Sequence, residues 1–199
     1  LASVSWGSEM CIRDSYSFLL AIICIASALF FNVNYLLIFP FIPIQITLID
    51  QFVEGFPPFV LTFERNIKPV EKHFLRRSLL LALPSALMVV FSVLFIRLWG
   101  VSHGWSAADM STVSYYLLGS IGFLSVIRAC LPLNIWRALL IIFSVVGFYA
   151  SAVVLKNLIE ISLLTATTFP VYLALMAIFT GVFILTTILQ KYEFAITLK

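Results

Sequence analysis

The chain has 199 residues, of which 62% are hydrophobic and only 11% charged, with a mean hydropathy of +1.12. Soluble domains carry about 25% charged residues, so this composition excludes a water-soluble globule and indicates an integral membrane protein. The net charge of +3 comes from a few clusters between apolar runs and forms no surface for nucleic acid. Apolar runs of about 18 residues or more indicate spanning helices rather than the short alternating strands of a barrel. The expected fold class is therefore all-α, a polytopic membrane protein whose partner is the lipid bilayer. Cys11, Cys24 and Cys130 form no disulfide framework and no zinc spacing.

The chain opens LASVSWGSEMCIRDS, without a start methionine or a signal-peptide pattern. Back-translated, Glu9 to Ser15 resembles the transposase-end adapter used to fragment DNA for sequencing. Residues 1–15 are thus expected to be non-native, fused to a fragment of a longer gene. Sequencing the locus from unfragmented DNA tests this, and a native frame running through Glu9–Ser15 would overturn it.

Spans are expected at about 17–37, 42–63, 78–98, 112–131, 136–155 and 171–190. Asn32 and Asn34 close the first at the interface, and Pro40 and Pro43 shape a short hairpin before the second. A polar loop from Glu64 to Arg77 follows. Pro84 should kink the third span. Trp99 and Trp105 suit a membrane interface. Gly119 and Gly122 in the fourth span allow close packing, and Ser144, Gly147 and Ser151 in the fifth form a helix-packing seam. Arg65, Lys68, Lys72, Arg76, Arg77, Arg128, Arg137, Lys191 and Lys199 fall on one side, against Arg97 and Lys156 on the other. By the positive-inside rule both ends of a six-helix chain are cytoplasmic.

Asp50 and Glu54 stand out within the second span. Four residues apart on a helix, both carboxylates project from one face. Counted from Ile42, Asp50 lies roughly 12 Å deep, near the middle of a hydrocarbon core about 30 Å thick. A carboxylate there costs on the order of 2.5–3.5 kcal/mol on insertion scales, and no Lys or Arg lies near another span's centre to pair with it. Gly55, Pro57 and Pro58 then break the helix, and a carbonyl left unpaired by the break can turn toward a cation. Asp50 and Glu54 are accordingly the candidate cation-binding, metal-ligating residues. Gln45, Thr47, Gly55 and Pro57 are candidates for the pathway or its support. Gln45 either lines the path or caps the bend, and Thr47 is expected to bond its own helix backbone.

Two carboxylates about 6 Å apart repel by roughly 2.8 kcal/mol at an effective dielectric near 20. With no cation bound, at least one is expected to hold a proton, which a divalent cation would displace. Cation transport one way with counter-transported protons the other is the expectation, and proton flux independent of the cation in sealed vesicles would contradict it. Oxygen ligands favour hard cations such as calcium, magnesium or manganese. His73 and His103 read as ordinary loop residues. The chain has no phosphate-binding glycine loop and no hydrolase motif, so no catalytic residue and no cofactor are assigned to it.

The stretch IPIQITLIDQFVEGFPPFVLTFERN, from Ile42, resembles the sixth transmembrane helix of P-type cation-transporting ATPases. The likeness is strongest to the calcium-pump type and the bacterial cation-transporting ATPase E group. Laid on that family's pattern, Asp50 falls at its Asn ligand, Val53 at its Thr ligand and Glu54 at its Asp ligand, while Gly55 and Pro57 match its Gly and Pro. Val53 brings no side-chain oxygen, and the fourth span has no acid where calcium pumps have one, which implies one ion site rather than two. The resemblance further implies that residues 16–199 are helices five to ten of such a pump, in a bacterial plasma membrane. The parent would use ATP and Mg through domains in the missing N-terminal portion of the same polypeptide. Two other readings remain open: a self-contained six-helix cation channel or proton-coupled carrier, and a structural membrane subunit whose acids pair with a partner's basic residues.

Overall fold

The structure, a computed structural model, describes residues 41–63 and 74–197 together with Ile22. Apart from Ile22, the expected first span at 17–37 lies outside the described residues, as do residues 1–15 and positions 64–73 of the expected Glu64–Arg77 loop; its last four residues, 74–77, are helical rather than loop. Every element among the described residues is helical. In a bilayer this is what backbone chemistry demands, because N–H and C=O groups without water must be satisfied within the segment.

The expected second span is a helix in three pieces. Helix α1 (Pro43–Ile49) passes into a π-helical turn (Asp50–Gly55) and then into α2 (Phe56–Leu61). Pro43 is the first helical residue, where its fixed φ suits a helix start and its missing N–H is no loss. Four long helices follow: α3 (Phe74–Ser102), α4 (Ala107–Ala129), α5 (Ile135–Val154) and α6 (Thr168–Thr197). Each contains a stretch long and apolar enough to cross a membrane: Ala82–Ser102, Ala107–Ala129, Ile135–Val154 and Thr168–Gln190. The chain is an integral membrane protein. These helices overlap the expected third to sixth spans and extend most of them by a few residues. Pro84 lies within α3, and the helix is continuous through it.

Side chains set the helix starts. Ser106 Oγ accepts the Asp109 N–H at 3.1 Å and donates to Asp109 Oδ2 at 2.7 Å, capping α4. Asn134 Oδ1 accepts the Ile135 N–H at 2.7 Å and caps α5. His103, in the turn after α3, stacks on Trp99 with ring centroids 4.2 Å apart.

Helix α4 is the pillar of the bundle, packing against α3, α5, α6 and the broken helix. Its glycines receive side chains from its neighbours. A Cβ on Gly122 would lie 2.5 Å from Val53 Cγ1, and one on Gly119 would collide with the Phe148 ring. On α5, a Cβ on Gly147 would lie 2.5 Å from Phe52 Cε1. The close packing expected at Gly119, Gly122 and Gly147 is thus what the structure has. Hydroxyls tie α4, α5 and α6 together. Ser120 Oγ lies 2.9 Å from Tyr149 Oη and 2.8 Å from Tyr172 Oη, and the two phenols are 2.9 Å apart. Ser85 and Ser125 join α3 to α4 at 3.2 Å.

The contacts also order the two ends of the bundle. The start of α1 lies with the start of α4 and the connection between α5 and α6. At the opposite end, Val60, Leu61 and Phe63 line a cavity of about 200 Å³ with Trp136, Arg137 and Leu140. Arg128, in the last turn of α4, donates to Gln190 Oε1 at 3.1 Å, and its guanidinium lies 5.0 Å from the Phe183 ring centre.

Candidate cation site on a broken helix

The site grows out of one local conflict between sequence and helix geometry. Gly55 and the pair Pro57–Pro58 fall within about one turn, so a regular α-helical ladder cannot pass through them. The chain answers with a π turn, in which each N–H reaches back five residues instead of four. The Phe56 N–H bonds the Gln51 carbonyl in this way. Gly55 is needed at the end of the turn, since a Cβ there would sit 3.0 Å from the Asp50 carbonyl oxygen.

The π turn changes which residues face inward. In α1 one position per turn is buried, at Gln45 and Ile49. The wider turn carries an extra residue, so Val53 and Glu54 both come round to the buried side, followed by Pro57, Pro58 and Leu61. Glu54 is only 7% exposed, and Asp50 is half-buried. Asp50 Oδ1 and Glu54 Oε2 are buried, and both residues have interactions within the protein.

The same break leaves a main-chain oxygen without its helical donor. The Phe56 N–H is committed to Gln51, and Pro57 and Pro58 have no N–H. In either an α or a π register, the Val53 carbonyl therefore lacks a donor from its own helix. Two knobs hold the turn in place: Val53 against Gly122 of α4 and Phe52 against Gly147 of α5. Phe56 adds a tilted ring contact with Phe143 of α5, at 5.0 Å between centroids.

Asp50, Glu54 and Gly55 thus share one turn, with Pro57 buried just beyond it. Gln45 and Thr47 belong to α1 and are engaged elsewhere. Thr47 Oγ1 donates to the Pro43 carbonyl at 3.0 Å, the backbone bond expected of it. Gln45 is 1% exposed; its Oε1 accepts the Ile42 N–H at 3.2 Å, and its Nε2 donates to the Ile159 carbonyl at 2.9 Å. Among the described residues, no three His, Cys, Asp or Glu side chains gather in one place. The Gly-x-Pro-Pro pattern announced a break in the sequence. Its π winding and its two glycine sockets carry no linear signal, because the sockets lie on helices far along the chain.

Comparison with known proteins places the chain. No protein-family model matches it. It is 66% identical over 178 residues to the protein named "Probable cation-transporting ATPase exp7" of Streptococcus pneumoniae serotype 4. The match takes in 88% of this chain and 23% of that protein. Over this stretch the chain belongs with the cation-transporting ATPases. It is also 33% identical over 146 residues to "Calcium-transporting ATPase CtpE" of Mycolicibacterium smegmatis, across 68% of this chain and 18% of that protein. The chain spans less than a quarter of the length of either relative. The P-type resemblance carried by the Ile42–Phe63 stretch agrees with both matches, and the chain corresponds to a membrane part of such a transporter.

Proposed function

We propose that this chain forms the ion-pathway portion of an ATP-driven cation transporter, with Asp50 and Glu54 as cation ligands. The observation that carries the reading is the π turn, which brings Glu54 to the buried side of a proline-broken helix. In the proposed site the Val53 carbonyl supplies an oxygen in place of the side-chain oxygen that valine lacks. Carboxylate and carbonyl ligands suit a hard divalent cation, calcium, magnesium or manganese. In the empty state one carboxylic acid holds a proton, so cation entry releases protons to the opposite flow.

The wider proposal follows the relatives. Residues 16–199 form six spans with both ends cytoplasmic, in a bacterial plasma membrane. ATP and Mg act in domains of the same polypeptide that lie outside this chain, and their work switches the side from which the site is reached. The test uses the full-length protein in sealed vesicles. Asp50→Asn and Glu54→Gln should each raise the cation concentration for half-maximal ATP hydrolysis at least tenfold and reduce proton counterflow. Wild-type cation dependence in both variants would overturn the assignment.

A further inference from the structure

We infer that Gln45 is a positioning residue that bolts the first half of the ion helix to the bundle, so that the helix moves by bending at its π turn. The inference rests on the cation-site reading of Asp50 and Glu54 and adds how that site is held and released.

Three elements meet at this one side chain. Its carbonyl oxygen accepts the Ile42 N–H at 3.2 Å, closing the start of α1. Its amide nitrogen donates to the Ile159 carbonyl at 2.9 Å, in the connection between α5 and α6, and lies 3.5 Å from Ser111 Oγ in the first turn of α4. Gln45 is 1% exposed and Ile159 is fully buried. A buried amide that loses its partners leaves unsatisfied groups behind, so the bolt holds against sliding and rotation. Ile49, one turn later and 1% exposed, continues the same fixed face.

The other end of the helix is built differently. The Thr62 hydroxyl bonds locally, to the Phe59 carbonyl at 2.6 Å. Val60, Leu61 and Phe63 border the cavity of about 200 Å³, so α2 has space beside it. Between the two ends lies the π turn, followed by two residues that cannot bond the preceding turn. A helix bolted by a buried amide at one end, bordered by a cavity at the last residues of the other and interrupted between them bends at the interruption. Asp50 and Glu54 sit at that point, so the bend alters their mutual placement while Gln45 keeps its own.

The amide is required for its donor as well as its size. In Gln45→Glu, a protonated carboxylic acid can accept from Ile42 and donate to Ile159; an ionised carboxylate cannot donate. The charged groups of the elements packed here are Asp109 and Arg128 on α4, Arg137 on α5, Lys156 and Glu160 in the connection, and Asp50 and Glu54 on the ion helix itself. They are common to the wild type, so the ratio of variant to wild type isolates position 45.

The experiment uses the full-length protein in membranes, with calcium or manganese as the probe cation. Gln45→Leu should raise the cation concentration for half-maximal ATP hydrolysis by about tenfold, the size of one lost buried hydrogen bond, with the maximal rate within twofold. Gln45→Glu should match the wild type at low pH and fall to the leucine variant's behaviour as pH rises. An unchanged half-maximal concentration in Gln45→Leu, or a variant-to-wild-type ratio flat with pH, would overturn the inference. Hydrogen exchange reads the bolt without reference to transport: Gln45→Leu should speed exchange across 44–49 and leave 59–61 unchanged. Equal effects on both halves would also overturn it. If Glu54→Gln leaves cation dependence untouched while the exchange result holds, the cation-site reading fails and the bolt stands.

Discussion

Helices α4 and α6 pack against each other, yet 78% of the apolar 18-residue stretch of α4 is buried and only 17% of that of α6. Hydropathy runs the opposite way: α6 is the most apolar of the four spans and α4 the least, with α3 and α5 between them in both orders. In water the most apolar helix would be the core. In a bilayer the surroundings are as apolar as leucine, so burial selects for shape and hydrogen bonding instead. Helix α4 accordingly buries Tyr115, Gly119, Ser120 and Ser125, while α6 turns Ile184, Leu185 and Leu189 outward.

The largest effect should come from filling a socket. Gly122→Leu drives a side chain into Val53 and should cost about 3 kcal/mol or prevent assembly. On α6 a Cβ at Gly181 meets nothing within 4 Å, so Gly181→Leu should shift stability by no more than about 0.5 kcal/mol. Thermal unfolding of both variants in detergent makes the comparison, and equal losses would break it.

That contrast also shows what a linear reading can hold. The last four spans were legible because an apolar run of that length has one backbone solution in lipid. The break near Asp50 was legible because proline and glycine act locally. Gln45 was ambiguous, since its partner Ile159 lies 114 residues away and no local rule joins them. The meeting of Ser120, Tyr149 and Tyr172 was invisible for the same reason. Each is an ordinary residue on its own helix, and only the packing of α4, α5 and α6 gives them a common centre.

Next in size is the phenol on the inward stripe of α6. Tyr172→Phe removes a hydroxyl from the Ser120–Tyr149 group and should cost about 1–2 kcal/mol. A cost near zero would mean that α6 is held by lipid-like packing alone. Ser125→Ala, which leaves Ser85 of α3 without its 3.2 Å partner, should cost about 1 kcal/mol by the same measurement.

The smallest effect sharpens the comparison most. Leu185 is 57% exposed on α6. In a soluble core, Leu→Ala costs about 2–5 kcal/mol. Here lipid or detergent replaces the lost contacts, and Leu185→Ala should cost no more than about 0.5 kcal/mol. A loss of core size would show that the outer face of α6 is covered by protein.

The most direct test of the cation site is equilibrium binding of radioactive calcium to the purified full-length protein, with manganese as competitor, in the wild type and in Glu54→Gln. The expected result is saturable, competable binding to the wild type and its loss in the variant, with the variant still folded by thermal unfolding. Wild-type binding by a folded Glu54→Gln variant would contradict the assignment of the cation to this broken helix.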